Sequence, residues 1–218
     1  MDIIDLILKY KEAFLNGLYT TLTLCLWVWT LGIILGSIIG YFSIKKFSLS
    51  HKIAKILSSL LSGIPILVLL YWLYYPMQQF LGFEINPLII AIVAFSLLNI
   101  FIVADIVRQS LMDLPEKFLL AGKITGLSKK TILYRIQLPL LIRSVLGPIL
   151  IVQVTMLHNS IFASLINVDE IFRQIQRVNS MEYKPIELYS ILAIFFMCIS
   201  IPLNSLANYL KKKYSFKN

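Results

Sequence analysis

Residues 114–143 read LPEKFLLAGKITGLSKKTILYRIQLPLLIR, a charged stretch with a glycine near its centre and a Leu-Pro pair towards its end. Long uncharged segments lie on either side of it, at residues 85–104 and 144–168. The stretch is helix-like and is the largest polar element of an otherwise apolar chain. A membrane protein that keeps such an element is expected to use it to contact something in the water.

The composition places the chain in a membrane. Of its 218 residues 58% are hydrophobic, and the mean hydropathy is +0.81, which is too apolar for one water-soluble domain. Five stretches without charge each reach the roughly 20 residues that a helix needs to cross a bilayer. None shows the alternation of a membrane β-strand. These stretches are residues 13–44, 56–83, 85–104, 144–168 and 188–210.

The sequence therefore predicts an all-α, polytopic membrane protein with five transmembrane helices in a single domain over residues 1–218. A polar loop at about 107–143 separates the third span from the fourth. The predicted spans are about 16–43, 56–76, 87–106, 145–167 and 187–209.

The basic residues predict the orientation, because Lys and Arg near helix ends stay on the cytoplasmic side. Fifteen of the twenty Lys and Arg fall in the first loop, the third loop and the C-terminal tail, so the N-terminus is expected outside and the C-terminus in the cytoplasm. Acidic residues stand at positions 2, 5 and 12, where a cleaved signal peptide would have a basic region. We therefore expect the first span itself, and not a cleaved leader, to act as the insertion signal. Contact with anionic membrane lipid is a second use of the +9 charge. A nucleic-acid partner is not expected, since no basic patch is interleaved with exposed aromatic residues.

Two further patterns concern packing within the spans. Gly32, Gly36 and Gly40 recur at intervals of four and predict a close approach of another helix, within this subunit in preference to a subunit interface. Asp105 and Arg108 are spaced for an ion pair along one helix.

The sequence carries no Walker A loop, no GxGxxG, no His-Glu metal spacing and no nucleophile elbow. Cys25 and Cys198 fall inside predicted spans and are interpreted as apolar filler, not as disulfide or metal ligands. We therefore predict that the chain is not an enzyme and that it binds no cofactor or metal of its own. Any energy source must come from another protein.

Five motifs, in order and at matching spacing, resemble the polar amino acid branch of ABC importer permeases, which includes the histidine, glutamine, arginine and opine importers. The similarity covers about residues 13–210. The stretch at 114–143 resembles the family's EAA loop, with Gly126 and Pro139 at its spacing. The other four motifs are GLYTTL at 17–22, LSGIPILVLLYWLYY at 61–75, ADIVR at 104–108 and LHNSIFASLINVDEI at 157–171.

The resemblance implies a type I importer fold in which the EAA-like loop is cytoplasmic and docks on the ATPase. Gly126 is expected to form the turn between two short loop helices, since glycine reaches backbone angles that a side chain disfavours. Leu120-Ala121-Gly122 stands where the family has Glu-Ala-Ala, and Glu116, one turn earlier, could replace the missing carboxylate. The implied coupling residues are Glu116, Ala121, Gly122, Gly126, Leu127, Ser128 and Pro139.

A second candidate site is the solute pathway. His158, Asn159 and Ser160 form the densest polar group in any predicted span, and an ionisable residue there costs several kcal/mol unless it faces protein or water. Two readings stay open for His158, a pathway residue and a neutral, hydrogen-bonded packing residue. Ser62 and Ser96, at polar positions of the family's second and third helices, are expected to join the pathway.

The polar lining is thinner than in the family. Ser62, Ile64 and Leu69 replace its Arg, Thr and Gln, and His158 and Ser160 replace its Lys and Thr. Two explanations remain open at this point. Either the solute is less polar than arginine or glutamine, or the chain is the weaker-binding half of a heterodimer.

The resemblance implies a permease subunit of a bacterial inner-membrane importer for amino acids or similar small polar solutes. Its implied partners are ATPase subunits that hold ATP and Mg²⁺, a second permease subunit (a copy or a different chain) and an extracytoplasmic solute-binding protein. The alternative is a passive channel or membrane scaffold, which would not need the polar helix-glycine-helix loop. A membrane-embedded enzyme is disfavoured by the lack of an acid, base or metal cluster.

Overall fold

The computed structural model describes residues 3–43, 56, 60 and 63–214. Every regular element within these residues is helical, as the sequence predicts. A π-helical turn spans Leu133–Gln137, and a 3-10 segment spans Ser160–Ile166. The α-helices are α1 (Ile3–Lys9), α2 (Lys11–Phe42), α3 (Ile66–Tyr74), α4 (Pro76–Leu81), α5 (Pro87–Met112), α6 (Glu116–Ile124), α7 (Lys129–Ile132), α8 (Leu138–Asn159), α9 (Ile171–Glu182) and α10 (Pro185–Tyr214).

Among the described residues, four helical runs are long and apolar enough to cross a membrane, and they correspond to the first, third, fourth and fifth predicted spans. The described part of the second predicted span, 56–76, contains α3. Much of that span lies outside the described residues, so its crossing stays a prediction. The four runs are Lys11–Phe42, Pro87–Met112, Lys129–Ile166 and Pro185–Tyr214.

The helices extend beyond the predicted spans, because a charged residue at the membrane surface marks the end of a span but does not end the helix. Helix α5 continues past Arg108, which forms the predicted ion pair with Asp105 at 2.8 Å. Helix α8 already begins at Leu138. The segment between these two helices is therefore residues 113–137, shorter than the predicted loop at 107–143.

Helix α2 packs against α5 along its glycine face. A Cβ added at Gly36 would lie 2.6 Å from the carbonyl oxygen of Ile100, and one at Gly40 would lie 2.5 Å from that of Ala104. Only glycine allows the two backbones to come so close. The predicted packing of the glycine face within this subunit is confirmed.

A layer of helices covers one end of the bundle. Helix α1 and the amphipathic helix α9 bury Leu6, Ile175 and Val178 against Leu188 of α10. Because the helical run from Lys129 to Ile166 leads from the turn at Gly126 through the bundle towards α9, this layer lies at the end opposite that turn. The bundle thus has two different ends, one closed by α1 and α9 and one carrying the polar loop.

Candidate functional site

Helices α6 and α7 form a helix-turn-helix at the end of the bundle that carries the polar loop. Helix α6 ends in a left-handed residue, Gly126, with φ +75°. The amide of Gly126 donates to the carbonyl of Lys123 and the amide of Leu127 to that of Gly122, both over 3.1 Å. This pair of bonds is the Schellman motif, which satisfies the last carbonyls of a helix. The turn predicted at Gly126 is therefore confirmed.

The next residues start the second helix of the loop. The Ser128 hydroxyl accepts a hydrogen bond from the amide of Thr131 over 3.2 Å and so caps α7. Further on, Pro139 is the second residue of α8 and has no N–H to donate to the carbonyl of Arg135. The backbone widens into the π turn immediately before it. The helical run nevertheless continues from Lys129 to Ile166, so the loop is joined to the membrane helix without a break.

Gly122 and Ala121 point in different directions. A Cβ at Gly122 would lie 3.1 Å from side-chain atoms of both Ile132 and Ile136, so glycine here lets α6 lie close to the helix that follows. Ala121 is exposed. Gly122 therefore serves the packing of the loop, while Ala121 belongs to its free surface. Glu116 is the first residue of α6, and its role as a substitute carboxylate stays a prediction.

The free surface of the loop is apolar. Ile124 is 84% exposed, and three further large apolar side chains of the loop are also exposed. Lys117 and Lys123 flank them, which keeps the loop out of the hydrocarbon. Leu120 and Ile124, four residues apart, share one face of α6, and large apolar side chains exposed together in water mark a protein contact. This surface, hereafter the loop patch, comprises Phe118, Leu120, Ile124 and Leu127.

Sequence reasoning found only Leu127 of the loop patch. Phe118, Leu120 and Ile124 were missed because apolar residues of a short amphipathic helix are ordinarily assigned to its inward face. The available signal was the glycine at 122, which marks the inward face of α6 and so turns Leu120 and Ile124, two positions away on either side, outwards; no such signal was available for Phe118.

Among the predicted pathway residues, His158 lies between α8 and α10. Its Nε2 is 2.7 Å from the Ser200 hydroxyl, and its ring meets the ring of Phe196 edge-on at 5.9 Å. Apart from these two contacts, the side chain is not covered by other residues of this chain. His158 thus has the hydrogen-bond partner of a packing residue and the open surface of a pathway residue.

The other predicted pathway residues have different environments. Asn159 is half-buried, and Ser160 is fully buried with its hydroxyl donating to the carbonyl of Leu157 over 2.7 Å. Ser96 is buried too, and its hydroxyl has no hydrogen-bond partner among the described residues. Ser62 lies outside them. No hydrogen bond joins any two of these residues in the described part of the chain.

A buried polar cluster that sequence reasoning missed joins three spans. The Asn99 amide donates to Oε1 of Gln153 and to the carbonyl of Val28, each over 2.9 Å. The indole N–H of Trp29 donates to the carbonyl of Gln153 over 3.0 Å. Each amide is a lone polar group in an apolar run, and this isolation was the signal, because lipid offers such a group no partner. The cluster ties α2, α5 and α8 together.

At the opposite end of the bundle, Glu170 caps α9. Its carboxylate is fully buried and accepts from the amides of Phe172 over 2.8 Å and Arg173 over 2.7 Å. Burial raises the pKa of this carboxyl to about 7, against the opposing effect of the two amides. The amide of Ile171 donates to the Thr21 hydroxyl over 3.1 Å. The start of α9 is therefore fixed to α2 and carries, outside the membrane spans, a carboxyl whose pKa lies near neutrality.

Solved structures share this fold. An amino acid ABC transporter, crystallised with histidines, superposes with a TM-score of 0.86 at 22% identity and covers 98% of this chain and 99% of its own. The inward-facing MetNI methionine ABC transporter superposes with a TM-score of 0.74 at 15% identity, over 95% and 98% of the two chains. The type I importer fold implied by the motifs is confirmed.

Curated relatives extend along most of the chain. A probable amino-acid ABC transporter permease, YckA of Bacillus subtilis, is 28% identical over 184 residues, 84% of this chain and 81% of the relative. The glutamine transport system permease GlnP of Escherichia coli K12 is 24% identical over 193 residues, 86% and 88% of the two chains.

The match to a protein family covers most of the chain as well. The model for the binding-protein-dependent transport system inner membrane component matches residues 32–216, which include the loop patch and the spans on both sides of it. The chain belongs to this family, and is a non-catalytic, multi-pass permease subunit of an ABC importer.

Proposed function

We propose that this permease imports amino acids or similar small polar solutes, and that its loop patch docks on a separate ATPase subunit. The single observation that carries the coupling role is the exposure of Ile124 at the tip of the loop. A large aliphatic side chain in water needs a partner surface to cover it. The solute class is supported by the similarity to YckA, a probable amino-acid permease, and to GlnP, a glutamine permease.

The connection between the loop and the spans supports mechanical coupling. Closure of two ATPases around ATP and Mg²⁺ would move α6, and Gly122 packs α6 directly on Ile132 and Ile136. The helical run from Lys129 to Ile166 carries that movement along the fourth span. Alternating access then follows from the difference in binding free energy between the inward-open and outward-open states.

Two further partners complete the proposed importer. Helix α10 packs on α8 and leaves Ile194, Met197 and Ile201 uncovered by this chain. A second permease subunit, either a copy or a different chain, would cover part of this face. A solute-binding protein would meet the end formed by α1 and α9, since that end is opposite the ATPase-docking loop.

The proposed orientation follows from the same arrangement. The loop patch and the C-terminus lie in the cytoplasm, and the N-terminus and α9 lie outside. The unequal distribution of Lys and Arg supports this direction.

The proposed solute pathway includes His158, Asn159, Ser160, Ser96 and Ser62. Its support is the open edge of the His158 ring and the Ser96 hydroxyl, which has no partner in the part of the chain that the structure describes. A buried hydroxyl without a partner is costly unless water or solute reaches it. A solute less polar than arginine, or a partner chain that contributes the stronger contacts, would fit this sparse lining.

The test is co-purification of the ATPase with the permease from the native membrane. We expect Ile124→Asp to abolish recovery of the ATPase while the permease stays inserted, because a charge would have to be buried at the centre of the contact. Ile124→Leu, which keeps the apolar surface, is the matched control.

Two results would contradict the proposal. Full recovery of the ATPase with both Ile124→Asp and Phe118→Asp would show that the loop patch is not the docking surface. Solute flux through the purified permease without any ATPase would instead support the passive channel.

A further inference from the structure

A narrow groove opens between α2, α5 and α8 near the loop end of the spans. Its cavity volume is about 280 Å³. The floor is formed by buried apolar residues, including Val107, Leu141 and Val145, and Ile38, Phe42 and Ile142 stand exposed at its rim. The remaining lining residues are Ser37, Tyr41 and Leu138.

The groove is expected to be neither empty nor filled with water. An empty space would cost its lining the dispersion contacts that close packing supplies. A water molecule needs two to four polar partners, whereas the side chains that line the groove offer only the hydroxyls of Ser37 and Tyr41. The lining is suited to a hydrocarbon chain.

Positive charge borders the groove where the spans end. Arg135 lies one turn before Leu138 on the same helical run, its side chain is exposed, and no ion pair involves it among the described residues. Arg135 belongs to the polar loop, just beyond the groove lining at Leu138, and basic residues near a membrane surface attract anionic headgroups.

We infer that the groove is a binding site for one anionic phospholipid, with an acyl chain lying between α2 and α8 and the phosphate at Arg135. The bound chain would fill the space between the first and fourth spans. The site is separate from the loop patch and from the predicted solute pathway.

The test uses the full-length permease, assembled with its partners, in nanodiscs of equal parts phosphatidylcholine and phosphatidylglycerol. After extraction with mild detergent, native mass spectrometry counts the phospholipids that stay bound to each permease chain. We expect one retained phosphatidylglycerol per chain. Ile142→Trp, which fills the groove, should lower its retention at least about fivefold. Arg135→Gln should remove the preference for phosphatidylglycerol over phosphatidylcholine.

Matched controls separate the groove from the rest of the surface. Leu146→Trp places the same indole on the same helix but outside the groove lining. Lys130→Gln removes a basic residue about two helical turns before Leu138, farther from the groove than Arg135; both variants should retain the lipid. Retention unchanged by Ile142→Trp would overturn the inference. So would a wild-type chain that retains no lipid, or one that retains both lipids equally. Dissociation of a protein subunit by Ile142→Trp, without any lipid loss, would show that a protein covers the groove instead.

Discussion

Asn99 and Gln153 are joined by a hydrogen bond of 2.9 Å between the amide nitrogen of one and the amide oxygen of the other, in the buried region where α2, α5 and α8 meet. The opposite amide groups face each other over 3.4 Å. Since the Asn99 amide also donates to α2, this pair fixes how three spans sit beside one another.

The first prediction concerns this pair. Asn99→Leu and Gln153→Leu should each destabilise the permease by about 1–2 kcal/mol, because the first leaves the Gln153 amide without its partner and the second leaves the Asn99 amide with only the Val28 carbonyl. The double variant should lose less than the sum of the two, since it leaves no unpaired amide. Thermal unfolding of the purified complex measures all three. Strictly additive losses would show that the two side chains are not coupled.

A second prediction concerns the contact of α2 with α5. Gly36→Val should prevent correct packing, because even the first side-chain carbon would lie 2.6 Å from a backbone oxygen of α5. The control is Gly63→Ala, where an added Cβ would meet nothing within 4 Å. The amount of monodisperse complex recovered by gel filtration is the measurement. Equal recovery of the two variants would contradict the close approach.

Much of the fold can be predicted from the sequence, because the sequence patterns that indicate it are local. Long uncharged runs predict spans, glycines at intervals of four predict close packing, and the glycine at 126 predicts a left-handed turn. Each of these depends on residues within one or two turns of helix. The structure confirms the packing of Gly36 and Gly40 and the turn at Gly126.

The candidate sites depend on contacts between distant segments, and these were harder to predict. Asn99 and Gln153 are 54 positions apart, and His158 and Ser200 are 42 apart. Which side of α6 faces outwards was also hidden, because it depends on the packing of Gly122 against Ile132 and Ile136. Adjacent polar residues suggested one site at 158–160, but helical geometry sends their side chains in different directions.

A third prediction concerns pH. The pKa of Glu170 is raised by burial from 4.5 to about 7, so between these values the native carboxyl holds a proton that the unfolded chain has released. The stabilisation from this proton is complete below pH 4.5 and is lost as the pH rises through about 7. We expect the Tm of the wild type to fall from pH 5 to pH 8 by several degrees more than that of Glu170→Gln. Glu84→Gln, at an exposed carboxylate, is the control and should keep the wild-type slope. Parallel slopes for all three proteins would remove Glu170 as the titrating group.

A fourth prediction is the orientation in the membrane. Single cysteines at Ser128 and at Gln176 place one thiol on the loop end and one on α9, and both positions are exposed. An impermeant thiol reagent added to intact cells should label the cysteine at 176 and not the one at 128, because most Lys and Arg lie on the side of the loop. The unsubstituted chain gives the background from Cys25 and Cys198. Labelling at 128 alone would reverse the orientation.

The last prediction separates the two readings of His158. The ring is bonded to Ser200 on one side and uncovered on the other, so it can hold α8 against α10, contact the solute, or do both. If the solute meets the open edge of the ring, His158→Leu should lower solute-stimulated ATPase activity per assembled complex by about tenfold, the effect of losing roughly 1.4 kcal/mol. Ser200→Ala removes only the hydrogen-bond partner, and it should leave most of that stimulation intact. If the histidine is purely a packing residue, both variants should lower assembly together, with unchanged stimulation in the complexes that do form. We expect the first pattern, because the edge of the ring that faces away from Ser200 is left open by this chain. Unchanged stimulation in His158→Leu complexes would exclude His158 from the solute pathway.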